Sequence, residues 1–124
     1  MIDWLSDNRL KLAALFGAGL GYLAVAVLSG LPTAYRPHLF GVSDKLEHAL
    51  AYLLLGALTA IAARQNPNAY WLAFAVVAYA GVLELSQLLI PSRVASVEDF
   101  LASAAGAIVG VLVASRVVRR LERL

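Results

Sequence analysis

The sequence LAALFGAGLGYLAVAVLSGL, residues 12–31, runs for twenty positions without a charged side chain. At about 1.5 Å per residue, a helix of this length covers about 30 Å, which is the thickness of the hydrocarbon core of a bilayer. The run therefore predicts a membrane-spanning helix, which we place at residues 10–31.

Three further apolar segments follow in the 124-residue chain. The predicted helices cover residues 10–31, 44–64, 69–90 and 98–118. Of all residues, 61% are hydrophobic and 15% are charged, whereas about a quarter are charged in ordinary soluble domains. There is no cysteine, which excludes disulfides, thiolate nucleophiles and cysteine metal sites. The sequence thus predicts an all-α integral membrane protein, an antiparallel bundle of four transmembrane helices.

Basic residues predict the orientation of this bundle. With four crossings, both termini share a side, and that side collects seven of the ten basic residues: Arg9, Lys11, Arg64, Arg116, Arg119, Arg120 and Arg123. Cytoplasmic loops carry the excess of Lys and Arg, so both termini are expected in the cytoplasm. The arginines at the C-terminal end predict contact with anionic membrane lipids as partners, not with nucleic acid.

Polar residues concentrate at the opposite ends of the predicted helices. They form three pieces, Asp44-Lys45-x-x-His48-x-x-x-Tyr52, Glu84-x-x-Gln87 and Arg93-x-x-Ser96-x-x-Asp99. Ionisable groups near a bilayer are costly, and they mark functional sites more often than other residues do. Since residues four apart share a helix face, these side chains are expected to meet in one outward-facing layer.

We assign candidate roles within this layer. Glu84 and His48 are the candidate catalytic residues, as acid and base or as orienting groups. The candidate ligand-binding residues are Lys45, Arg93, Asp44, Asp99, Gln87 and Tyr52. No cofactor is predicted. A divalent cation on His48, Glu84 and Asp99 is the weaker alternative, because one histidine with scattered acids is a weak metal signal.

Each of these residues also has a purely structural interpretation. Asp44 and the Ser96-x-x-Asp99 piece fit helix caps. Lys45 and Arg93 fit basic side chains that extend toward interfacial phosphates. Glu84, about 9 Å inside its helix end, fits a buried ion pair with His48, Lys45 or Arg93. Small residues, among them the Gly17-x-x-x-Gly21 motif, fit close helix packing within the bundle or between copies in a homo-oligomer.

The three polar pieces together resemble the VanZ-like family of small bacterial membrane proteins. The resemblance spans Asp44 to Gly110 and includes Pro91 and Gly106, although Ser103 stands where the family commonly has Asn. It implies a single VanZ-like domain over residues 1–124 in the bacterial inner membrane. The family is named for an accessory protein of resistance to glycopeptide antibiotics, chiefly teicoplanin. The resemblance therefore implies a link to glycopeptide resistance.

Two functions follow as hypotheses. In the first, the outward layer binds or modifies an anionic, lipid-linked molecule such as a cell-envelope precursor. In the second, the same residues form a structural network that closes the bundle, and the protein is not an enzyme. An ion pathway is disfavoured, because helices one and four carry no polar trail to the cytoplasmic side.

Overall fold

The computed structural model of the chain describes residues 8–31, 43–64, 68–90 and 96–124. Within these ranges the chain is helical, in the order α1, α2, α3, a short 3-10 turn and α4. Their bounds are Asn8–Gly30 (α1), Asp44–Ala62 (α2), Ala69–Ser86 (α3), Gln87–Leu89 (the 3-10 turn) and Val97–Glu122 (α4). The four α-helices are each long and apolar enough to cross a membrane. The predicted fourth helix ended at residue 118, whereas α4 continues one turn further through the arginines.

Polar side chains fix the starts of three helices. Ser43 caps α2 by accepting the Leu46 N–H at 3.3 Å, and Asn68 caps α3. Ser96 caps α4 by accepting the Asp99 N–H at 3.2 Å. The interpretation of Asp44 as a cap is therefore wrong, since Asp44 is the first residue inside α2 and the cap falls on the serine before it.

The core is built mainly from small residues, and most of the large apolar side chains lie outside. Buried positions include Ala107 and Val111, both fully inaccessible, whereas Phe16 and Leu85 are exposed to 70% and 66%. This arrangement reverses that of a soluble protein. It is expected in lipid, where helices associate by close backbone packing and not by hiding apolar surface from water.

Glycines bring α2 and α4 together as the most extensive helix pair. A Cβ atom on Gly106 would collide with the backbone of Ala49, and one on Gly110 would collide with the backbone of Leu53. Both contacts advance by four residues in the same direction, so the two helices run parallel. The sequence predicted α2 and α3 as neighbours; they do touch, but the main partner of α2 is α4.

Helix α1 lies along α2 and is held by a polar contact in the middle of the bundle. The Tyr22 hydroxyl is 2.6 Å from Thr59 Oγ1, and the Tyr79 hydroxyl donates to the Tyr22 carbonyl at 2.6 Å. The Gly17 and Gly21 stripe faces the side chains of Leu58 and Leu55 in α2. This stripe therefore packs inside the bundle.

Two ends of the bundle are named by their side chains. The carboxylate end is where α2 and α4 begin and α3 ends. The arginine end is where α2 and α4 end and α3 begins.

Candidate functional site

Three side chains from three helices converge at the carboxylate end. His48 of α2, Glu84 of α3 and Asp99 of α4 each offer a ligand atom, and these atoms all lie within 4.8 Å of one another. Glu84 is buried, and His48 and Asp99 are half-buried. The predicted single layer is present for these three residues, which we call the carboxylate cluster.

The helix starts and ends explain this convergence. His48 lies in the second turn of α2, Asp99 in the first turn of α4, and Glu84 in the last turn of α3. The tight glycine contact between α2 and α4 places Ala49, the residue after His48, against Gly106 of α4. Backbones that approach so closely bring the short Asp99 side chain within reach of the imidazole.

A backbone donor orients Glu84. The Ser96 N–H donates to Glu84 Oε1 at 2.6 Å, while the Ser96 hydroxyl caps α4 at Asp99. Ser96 therefore bonds the Glu84 carboxylate through its backbone and the Asp99 backbone through its hydroxyl. The sequence indicated a serine cap here, but a backbone donor has no side-chain signature and was missed.

Lys45 does not join the carboxylate cluster as a partner of Glu84. Its Nζ lies 3.2 Å from Glu98 Oε2, and both side chains are largely exposed. The sequence had suggested Lys45 as a partner of Glu84 and had given Glu98 no role. An exposed pair of this kind is worth about 0–1 kcal/mol, so Lys45 can leave it at little cost.

Four further polar residues, each within four positions of a member of the carboxylate cluster along the chain, are buried. Gln87 is 2% exposed, Tyr52 3%, Glu47 8% and Ser103 2%. Gln87 and Tyr52 were predicted as ligand-binding residues, and the structure places both inside the protein, at the closing turn of α3 and one turn below His48. The side chain of Asp44, together with Pro91 and Arg93, lies outside the described part of the structure.

A groove between α3 and α4 opens at the surface of the bundle and reaches Glu84. It has a volume of about 310 Å³ and is lined by Gly81, Glu84, Leu85, Ser96, Val97 and Phe100. Its walls are almost entirely apolar apart from the carboxylate. This groove was not predicted from the sequence, although Gly81 lies three residues before Glu84 on the same face and removes a side chain there.

The groups available for chemistry at this end are a carboxylate and an imidazole that lie close together beside the apolar groove. A buried carboxylate and a nearby imidazole can exchange a proton or share a cation. The groove offers room for a hydrocarbon chain next to them. The arrangement therefore fits an amphiphilic ligand better than a small polar molecule.

Comparison with known families agrees with the motifs. A family model described as VanZ/LLP1 matches residues 28–119, which include α2, α3 and most of α4, and with them the whole carboxylate cluster. Among curated proteins and among solved structures, none matches this chain. Because the match covers well over half of the sequence, the chain belongs to the VanZ/LLP1 family.

Proposed function

We propose that this protein binds or modifies an anionic, lipid-linked molecule of the cell envelope at the carboxylate end, on the outer side of a bacterial inner membrane. The observation that carries the proposal is the apolar groove between α3 and α4 that ends at Glu84. An open, apolar groove that ends at a carboxyl side chain fits a ligand with a hydrocarbon chain and a polar head.

Orientation supports an outward site. Seven of the ten basic residues belong to the arginine end or to the chain termini beside it. The excess of basic residues favours the cytoplasmic side for that end. The carboxylate end would then face outward, where envelope precursors are assembled.

An anionic head group would need a cation at the carboxylate end. Lys45 supplies one, since its exposed pair with Glu98 is readily exchanged for a phosphate. Arg93, close to Ser96 in sequence, is the second candidate and would engage a phosphate in a bidentate manner. If the bound molecule is modified, Glu84 and His48 would serve as acid and base. Resistance to glycopeptides such as teicoplanin would be one consequence of binding an envelope precursor.

Thermal stabilisation of the purified protein tests the proposal. Polyprenyl phosphate should raise the melting temperature in detergent, because a ligand that binds only the folded state at a hundred times its Kd stabilises it by about 2.7 kcal/mol. The uncharged polyprenol should have a much smaller effect. Glu84→Gln and Arg93→Ala should abolish the shift while the protein stays folded.

A matched pair of substitutions tests the groove itself. Leu85 lines the groove and Leu88 does not, yet the two side chains are 66% and 67% exposed. Leu85→Trp should block polyprenyl phosphate, whereas Leu88→Trp should leave the thermal shift intact. Equal loss in both variants, or retained binding in Leu85→Trp, would contradict a ligand in this groove.

One observation favours the structural alternative. The bond from the Ser96 N–H to Glu84 links the start of α4 to the end of α3, as a packing network would. In that case no envelope lipid shifts the melting temperature, and Glu84→Gln lowers the stability of the protein without affecting any ligand.

A further inference from the structure

The carboxylate cluster has the donor set of a metal site. It presents an imidazole nitrogen and two carboxylate oxygens from three different helices, with all three ligand atoms within 4.8 Å of one another. Bonds of about 2.0–2.2 Å from zinc to nitrogen and oxygen ligands place neighbouring ligand atoms about 3.0–3.6 Å apart. The ligand atoms would have to approach one another by at most about 1–2 Å to bind a metal.

The closeness of the two carboxylates also favours a cation at this place. Glu84 is buried and Asp99 half-buried, and two carboxylates this close repel each other at the edge of a bilayer. A divalent cation would neutralise both carboxylates and leave the imidazole neutral, which is the form that binds metals.

The surroundings of Glu84 resemble the outer shell of a metal site. The Ser96 N–H holds Glu84 Oε1 at 2.6 Å, which fixes the orientation of the carboxylate. The same residue caps the helix that carries Asp99. Hydrogen bonds that orient ligands in this way raise metal affinity by about 10- to 100-fold.

We propose that His48, Glu84 and Asp99 bind one divalent transition-metal ion of the Zn²⁺ or Mn²⁺ class. A mixture of imidazole and carboxylate ligands suits these ions better than Ca²⁺ or Mg²⁺, which prefer oxygen alone. Three protein ligands leave coordination positions open. The metal site stands on its own geometry and does not rest on the proposed function; with the metal bound, Glu84 and His48 would serve as its ligands and not as acid and base.

Manganese binding to the lipid-free, chelator-treated protein in detergent tests the site. Titrated Mn²⁺ should bind saturably at one equivalent, seen as loss of the electron paramagnetic resonance signal of the free ion, and Zn²⁺ should compete. His48→Ala, Glu84→Gln and Asp99→Asn should each weaken binding by at least about 10-fold, since even outer-shell changes reach that size.

Glu98→Gln is the matched control. It removes a carboxylate beside Asp99 that is exposed and paired with Lys45, so Mn²⁺ affinity should stay within about twofold. Absence of saturable binding, or equal loss in Glu98→Gln and Asp99→Asn, overturns the proposal. A nitrogen coupling to Mn²⁺ in the unmodified protein tests His48 even if a variant misfolds, and its absence likewise overturns the site.

The two proposals fail separately. Mn²⁺ binding is measured without lipid, and the polyprenyl phosphate shift is measured against the polyprenol. Metal binding without a lipid effect supports the metal site and contradicts the proposed function. A lipid effect without metal binding supports the proposed function and contradicts the metal site.

Discussion

The carboxylate end and the arginine end of the bundle carry their charges in opposite ways. At the carboxylate end, Glu84 is 8% exposed and meets His48 and Asp99 inside the protein. At the arginine end, Arg116 and Arg120 are exposed. Long basic side chains at a membrane interface reach water and phosphates without help from the fold, whereas a buried carboxylate needs partners that the protein itself provides.

The arginine end therefore has a charged surface, whereas the carboxylate end has a site that depends on the packing of three helices. The arginines need only a helix that continues past the membrane, and α4 supplies it by running to Glu122. The carboxylate cluster needs three helix ends at defined spacings. The carboxylate end should therefore be sensitive to single substitutions that the arginine end tolerates.

The largest effect is expected from Gly106→Ala. The added Cβ would collide with the backbone of Ala49, next to His48, and a backbone cannot rotate away. Overpacking a core costs about 1–3 kcal/mol, and we expect about 3 kcal/mol here. Denaturant unfolding in mixed micelles measures the loss.

Gly19→Ala provides the control for this substitution. A Cβ on Gly19 meets nothing within 4 Å, so the same chemical change on α1 should leave the free energy of unfolding unchanged or slightly raised. Equal stability of Gly106→Ala and Gly19→Ala would show that α2 and α4 are not held at backbone contact.

A smaller effect is expected from the acceptor at Glu84. Glu84→Gln keeps an oxygen for the Ser96 N–H, whereas Glu84→Leu leaves that donor without it. The Leu variant should be less stable than the Gln variant by about 1 kcal/mol, the lower end of the cost of an unsatisfied donor, because the Ser96 N–H is only partly buried. At the arginine end, Arg120→Gln and Arg120→Leu should differ by less than about 0.5 kcal/mol, as exposed positions do.

Thermal unfolding of the four variants in one detergent gives both differences. If the Arg120 pair differs as much as the Glu84 pair, the contrast between the two ends does not hold.

The parts of the fold that are determined by the surrounding lipid, such as the spanning helices, could be predicted from the sequence. Uncharged runs long enough to cross a bilayer have few alternatives to a helix, because lipid offers no partners to the backbone. The shared depth of His48 and Glu84 follows from counting residues along antiparallel helices. Both constraints depend only on residues within one helix, so they can be read from one amino-acid sequence.

The parts that depend on pairing between helices could not be predicted. Gly106 and Gly110 indicated close packing, but nothing along the chain identifies α2 as the helix that meets them. Short turns favour contact between helices that are consecutive in sequence. The closest backbone contact, between α2 and α4, instead depends on glycines in both helices, and Gly56 is the one in α2. The residues of the carboxylate cluster were predicted individually, and their mutual distance depends on this pairing.

The smallest effect is expected from the exposed pair at the carboxylate end. Lys45 and Glu98 lie 3.2 Å apart, and their side chains are 55% and 74% exposed. A double-mutant cycle with Lys45→Ala and Glu98→Ala should give a coupling free energy below about 0.5 kcal/mol, because water and salt screen such pairs.

Raising the salt concentration should remove this coupling, while the difference between Glu84→Gln and Glu84→Leu should persist. The contribution of a charged side chain to stability would then depend on how deeply that side chain is buried and not on how near it lies to the carboxylate cluster. A coupling of about 2 kcal/mol that resists salt would place Lys45 inside the buried network and extend the carboxylate cluster to the protein surface.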